Sequence, residues 1–293
     1  MSDLRDAQEP RAGAPAGGRP APVASPGPSG SSAAAPAAAP GADPLDALSD
    51  RYFDAAAALL RRVRDEERTT LRRAGAAVAD AVTAGGRVFA FGAGHSSLPA
   101  QDVVYRAGGL AVVNLLGVPG AVGVDVVPAT LGSALERVPG LAEAVLETSP
   151  VRAGDVLFVI SLSGRNVLPV ETARRARDRG LTVVGVTSLA YAEQTAPRTP
   201  DGSFLKDHCD IVVDSKIPVG DAELTDPRIP APFGPASTVV VSALMQAVMA
   251  LAATELAARG HTPPMIRSGN VDGGLEWNAK VFDEYRDRIF FRN

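Results

Sequence analysis

The chain has 293 residues, 46% hydrophobic and 21% charged, with a formal net charge of -4. That length holds one large domain or two small ones, and the mild acidity argues against a protein that binds nucleic acid with its whole surface. The single cysteine, Cys209, excludes an internal disulfide, which is consistent with a cytoplasmic protein.

Residues 1–44 contain no aromatics and no lysine, and only Leu4 and Val23 as sizeable aliphatics. Such a segment cannot bury enough apolar surface to offset its ordering entropy, so it is predicted to be a disordered Ala/Pro/Gly-rich tail. It also lacks the compact apolar stretch of a secretory signal. Residues 45–293 are predicted to form a single folded domain.

Asp43-Pro44 is a good helix start, with Asp as cap and Pro at the first position. Leu45, Leu48, Tyr52, Ala56, Leu59, Val63, Thr70, Ala74, Ala77 and Ala81 then recur at helical spacing as far as Gly85-Gly86. The run is long enough for a kinked helix or for two helices, and it could pack against a second subunit. Arg87–Phe91 reads as the first strand. It is followed by the turn Gly92-Ala-Gly-His-Ser-Ser97, a helix through Tyr105, and a second strand over Ala111–Leu115. Between Gly117 and Arg137 the pattern suggests loop and then helix, with another short helix over Leu141–Glu147.

Val156–Ile160 is a continuous apolar run, as expected of a strand buried on both faces. It stops at Ser161-Leu-Ser-Gly-Arg-Asn166, where a helix to Arg179 begins. Helix N-termini carry unpaired N–H groups and partial positive charge; Ser161 and Ser163 add donors, and Gly164 lets the backbone approach a ligand. These residues suit a phosphate cradle, and they equally suit an ordinary Ser-capped helix. Leu181–Val186 is the next strand, ending at Thr187-Ser188. A polar stretch with a short helix follows, then a short strand at Ile211–Val213 and a Pro- and Gly-rich loop over Pro218–Pro235. A long apolar helix starts near Ser237-Thr238 and stops at Gly260, and a last helix spans Gly274 to Ile289. The run Val239–Ala258 could be mistaken for a membrane span, but Ser242, Gln246, Thr254 and Glu255 interrupt it. It is read as a buried or interface helix, and no membrane partner is expected.

Strands alternating with helices imply a parallel sheet with helices on both faces. Right-handed crossovers gather the strand-to-helix loops at one edge, where such sheets bind ligands. The turns 92–97, 161–166 and 187–188 should therefore meet. Gly92-Ala-Gly94 begins like a dinucleotide fingerprint, but Ser97 replaces the third glycine and no acidic residue follows the second strand, so no nucleotide cofactor is expected. His95, His208 and His261 show no metal-ligand spacing, so no metal is assigned, although scattered His and carboxylates leave that open.

These motifs resemble SIS (sugar isomerase) domain proteins. The carriers are Phe91-Gly-Ala-Gly-His-Ser96, Ser161-Leu-Ser-Gly-Arg-Asn166, Gly234-Pro-Ala-Ser-Thr238 and Ser268-Gly-Asn-Val-Asp-Gly273. The last two, with Tyr105-Arg-Ala-Gly-Gly109, are similar to an uncharacterised bacterial branch near the phosphoheptose isomerases and N-acetylmuramic acid 6-phosphate etherases. The resemblance implies an α/β three-layer sandwich around a five-stranded parallel sheet of flavodoxin-like order, with extra N- and C-terminal helices. It also implies a small phosphorylated sugar as ligand and a homodimer or dimer of dimers. Ser161, Ser163, Gly164 and the following helix would hold the phosphate. Ser96, and Thr187 or Ser188, would help hold phosphate or sugar hydroxyls, with Gly94 and Ser97 among the substrate- or phosphate-binding residues, and Arg165 could contact phosphate. The motif often carries a hydroxyl where this chain has Asn166. Isomerisation and ether elimination both need a base. The candidates are Glu136, His95, Asp102, Glu223 and His261, with Glu136 and His95 foremost. Glu136 could instead be a solvated carboxylate paired with Arg137 or Arg152. Asn270 could face substrate from a partner's loop or simply belong to a turn.

Overall fold

The computed structural model describes residues 44–121, 123 and 127–292. Residues 1–43 of the predicted disordered tail, with the cap at Asp43, lie outside them, and Pro44, assigned to that tail, instead opens the first helix. Helices α1 (Pro44–Glu66) and α2 (Arg68–Thr83) lead into strand β1 (Val88–Gly92). Then come α3 (Ser97–Asp102), β2 (Val113–Leu115), α4 (Ala129–Leu135), α5 (Leu141–Thr148), β3 (Val156–Ile160), α6 (Val167–Asp178), β4 (Thr182–Thr187), α7 (Leu189–Gln194), β5 (Ile211–Asp214), α8 (Ser237–Ala258) and α9 (Gly274–Glu284).

The strands form one parallel sheet in the order β2-β1-β3-β4-β5. This is the flavodoxin-like order expected, and it reverses direction between β1 and β3. Successive side chains on a strand point to opposite faces, and here both faces are dry. Val88, Ala90, Val156, Phe158, Ile160, Val184 and Val186 pack beneath α2 and α8. Phe89, Phe91, Leu157, Val159 and Val183 pack against α5 and α6. A strand buried on both sides needs apolar residues at every position, which is why the strands read as unbroken runs.

The leading helical run divides in two at Glu67. Glu67 is buried and pairs with Lys216 Nζ at 2.8 Å; Asp214 lies 3.1 Å from the same ammonium. Burial alone would lower the Lys216 ammonium, but hydrogen bonds to Glu67 and Asp214 outweigh it and raise it. Helix α8 is long and apolar enough to cross a membrane by length and composition. Here it lies against the sheet, with Val240, Val241, Leu244, Met245, Val248 and Leu256 buried.

Most strand boundaries shift by one or two residues, as where β2 starts at Val113 rather than Ala111, and two helix ends shift further. Helix α3 ends at Asp102 rather than Tyr105, and Tyr105 has φ 47°. Helix α9 ends at Glu284 rather than Ile289, because the tail turns back to the sheet: Asn114 Nδ2 donates to Arg288 O at 2.8 Å and Phe290 N donates to Asn114 Oδ1 at 2.8 Å. At the N-terminal ends of β1 and β3, buried Arg87 meets buried Asp155: Arg87 N and Nη2 each donate to the carboxylate at 2.9 Å. Arg152 N donates to it at 2.8 Å. The Arg87 guanidinium lies beside the stacked rings of Phe89 and Phe290, at 5.9 and 5.5 Å from their centres.

Candidate functional site

The strand order reverses between β1 and β3, so the loops leaving their C-terminal ends run apart and leave a hollow. A cleft of about 590 Å³ opens there. Gly92, the last residue of β1, must be glycine, because a Cβ would lie 2.1 Å from Ser96 O. That close approach folds the turn back over the strand end and brings Gly94, His95 and Ser96 into the cleft wall. From the end of β3 come Ser161, Leu162 and Ser163. From β4 comes Thr187, and Glu136 enters from the residue after α4.

The cleft therefore gathers Glu136, His95, Gly94, Ser96, Ser161, Ser163 and Thr187. The Ser163 and Ser96 hydroxyls have no hydrogen-bond partner among the described residues, while Gly164 N donates to Ser161 Oγ at 3.3 Å. Gly164 has φ 57°, and a Cβ there would lie 2.7 Å from Thr187 Oγ1; the turn works only with glycine. Thr187 Oγ1 itself donates to Leu162 O at 3.2 Å.

Six of the expected residues are not in the cleft wall: Gly164 and Arg165, which follow Ser163 in the turn, and four that make other contacts. Ser97, expected in the sugar wall, is fully buried: its hydroxyl donates to Gly94 O at 2.6 Å and accepts from Gly123 N at 3.0 Å and Gln101 Nε2 at 3.1 Å, so it staples the turn. Ser188 is likewise buried and donates to Ile217 O at 2.6 Å. Asn166 Nδ2 donates to Glu136 Oε2 at 2.6 Å, and Arg198 Nη1 donates to Asn166 Oδ1 at 3.2 Å. The side chain that replaces the usual hydroxyl thus holds the candidate base, and Glu136 pairs with neither Arg137 nor Arg152. Asn270 is exposed, in a turn outside the cleft, where its N–H donates to Ser268 Oγ at 3.2 Å.

The other basic and acidic candidates divide clearly. Arg165 Nε is buried with no partner among the described residues; burial lowers the Arg165 guanidinium, and the nearby Arg198 charge lowers it further. Asp102 is paired with Arg106 and with Gln246 Nε2 at 2.8 Å, away from the cleft. Glu223 lines a separate hollow beside Lys216, and burial raises its carboxyl, with the Asp221 charge adding to it. His261 is exposed beyond α8.

Sequence reasoning missed several cleft residues. Ser133 and Tyr191 come from α4 and α7, Ser215 follows β5, and Asp221, Ser237 and Thr238 come from the long loop and the start of α8. The Gly234–Thr238 motif pointed toward the last two. Nothing local pointed to Ser215 or to Asp221.

The SIS domain family matches residues 51–188. A UPF0309 protein of Streptomyces griseus is 69% identical over 246 residues, covering 84% of this chain and 98% of that one. Another, from Geobacillus thermodenitrificans, is 37% identical over 242 residues, covering 83% and 96%. Among solved structures, a phosphoheptose isomerase from Neisseria gonorrhoeae is similar with a TM-score of 0.50 at 16% identity, covering 72% of this chain and all but 1% of its own (99%). At that identity the likeness bears on the fold, and it is the three-layer parallel fold described above. The chain belongs to the UPF0309 family and carries a SIS domain.

Proposed function

We propose that the cleft binds a phosphorylated sugar and that the protein is a sugar-phosphate isomerase or a related lyase or etherase. One observation carries the reading. Hydroxyl-bearing turns from three neighbouring strands converge on a single hollow at the start of α6, and the Ser163 and Ser96 hydroxyls there have no partner among the described residues. Such donors at a helix N-terminus suit a phosphate dianion. Arg165, with a buried and unpartnered Nε one residue past Gly164, adds charge of the right sign. In this proposal Ser161, Ser163, Gly164 and Arg165 hold the phosphate, and Ser96 and Thr187 meet sugar hydroxyls. Glu136, oriented by Asn166, acts as the base; His95 donates or relays a proton during ring opening. The SIS domain supports the substrate class, as does the fold shared with a protein described as a phosphoheptose isomerase.

A second reading is a non-catalytic phosphosugar sensor or scaffold. Its support is that Glu136 is already engaged by Asn166 at 2.6 Å and that His95 is exposed. A panel of phosphorylated hexoses, heptoses and amino sugars, followed by melting temperature and by turnover, separates the two. Ligands of the native state raise the melting temperature with the logarithm of their concentration. Under the enzyme reading Glu136→Gln keeps the shift and abolishes turnover. Several shifts with no turnover select the sensor, and no shift from any phosphosugar removes both. The proposal includes a homodimer in which the exposed Asn270 turn reaches a partner's cleft; a monomer by sedimentation removes that part.

A further inference from the structure

Ser215 follows Asp214, the last residue of β5, and is fully buried, yet its hydroxyl has no hydrogen-bond partner among the described residues. Ser215 also lines the cleft. Buried polar groups are nearly always paired, so an unpaired hydroxyl in the wall of a hollow is a donor and acceptor left for whatever fills the hollow. The backbone here is fixed, with Ser215 N donating to Thr187 O at 2.8 Å beside the exit of β4. Neighbouring strands lie ~4.8 Å apart, so the end of β5 stands roughly 10 Å from the end of β3. That separation matches an extended six-carbon chain whose phosphate sits at Ser161 and Ser163.

The segment that continues from Ser215 brings a carboxylate to the same cleft. Asp221, held at φ 50°, lines the cleft and accepts hydrogen bonds from Ala236 N at 3.1 Å, Ser237 N at 3.0 Å and Ser237 Oγ at 2.6 Å. Its carboxylate occupies the start of α8, so the helix end that could have received a second phosphate already holds an anion. A neutral hydroxyl fits beside Asp221 as an additional donor, whereas a phosphate there is repelled.

Building on the phosphosugar reading, we infer that the site takes monophosphates of about six carbons. Ser215 hydrogen-bonds the hydroxyl farthest from the phosphate, and Asp221 bars a second phosphate at that end. Calorimetric titration of the full chain tests this with inorganic phosphate, fructose 6-phosphate and fructose 1,6-bisphosphate. The unmodified protein should bind the monophosphate at least about tenfold more tightly than the bisphosphate. Ser215→Ala should weaken fructose 6-phosphate about tenfold, the worth of one hydrogen bond at the upper end of the usual range. It should leave inorganic phosphate binding unchanged and should not lower the ligand-free melting temperature, because alanine removes an unpaired buried hydroxyl. A serine with a merely structural role would lower the melting temperature and weaken both ligands alike. Asp221→Asn keeps an acceptor for the α8 start and should narrow the preference over the bisphosphate. Unchanged fructose 6-phosphate affinity in Ser215→Ala, or equal affinity of the unmodified protein for both sugars, overturns this inference while phosphate binding leaves the phosphosugar reading standing. If the unmodified protein binds none of the three probes, both are overturned.

Discussion

The two ends of the same strands, β1 and β3, are finished in opposite ways. Where they begin, buried Arg87 and Asp155 pair with one another, with Arg152 N also donating to the carboxylate and two stacked aromatic rings beside the guanidinium. At the opposite edge of the sheet, Ser96 and Ser163, past the ends of β1 and β3, have no partner among the described residues, and neither do the buried Ser215 hydroxyl, past the end of β5, and the enclosed Arg165 Nε. Both ends contain polar groups in low-dielectric surroundings. At the first, each group's needs are met within the chain, so the groups specify the fold. At the second they are unmet, which costs stability in the free protein and leaves binding capacity. The difference teaches that polarity near a core is informative only once its partners are counted.

The sharpest way to break this comparison is Asp155→Ala. It leaves the Arg87 guanidinium buried with no carboxylate, and the expected loss is about 3–5 kcal/mol in urea unfolding. A loss under about 1 kcal/mol would mean that the beginning of the strands is no more committed to the fold than their end. The converse substitution is the Ser161→Ala, Ser163→Ala pair. Ligand-free stability should change by less than about 1 kcal/mol, while phosphosugar affinity measured by calorimetry falls by about 1.5–3 kcal/mol, the range for hydrogen bonds to a charged group. Equal losses of stability and affinity would erase the contrast.

The smallest effect lies away from both ends. Cys209 Sγ donates to Leu205 O at 3.1 Å, and burial pushes the thiol up from 9.0 to about 12, with the Asp210 charge adding to it. A folded-state value raised in this way contributes stability that is complete below pH 9 and is lost as pH rises toward 12. Between pH 8 and 10 the decline should be about 1.4 kcal/mol at most, and Cys209→Ala should flatten that part of the melting-temperature profile. A profile identical in the variant would assign the decline between pH 8 and 10 to groups other than Cys209; the Lys216 contribution is lost only above pH 10.5.

Much of the fold was legible because its strands are dry on both faces. Val156–Ile160 and the run ending at Gly92 can satisfy that demand in one way only, and the Gly and Ser turns mark where each stops. The break at Glu67 was not legible, since α1 and α2 keep the same periodicity across it and the residue that fixes Glu67, Lys216, is far along the chain. The phosphate loop was visible as a contiguous motif. The hold of Asn166 on Glu136 spans 30 residues, and the Asp221 cap on Ser237 spans 16, so neither leaves a local signature. Ser97 and Ser188 illustrate the reverse error. They sit at the right places in the motifs, but their hydroxyls turn inward to close the turns.

The knot that Asn114 ties with Arg288 and Phe290 has a consequence for how molecules of this chain keep apart. Strand β2 is only three residues long and forms one margin of the sheet. Exposed margins of that kind invite a neighbouring chain to add a strand. The folded-back tail roofs over this one, so shortening the chain before Arg288 would strip away a guard against clumping as well as a few contacts.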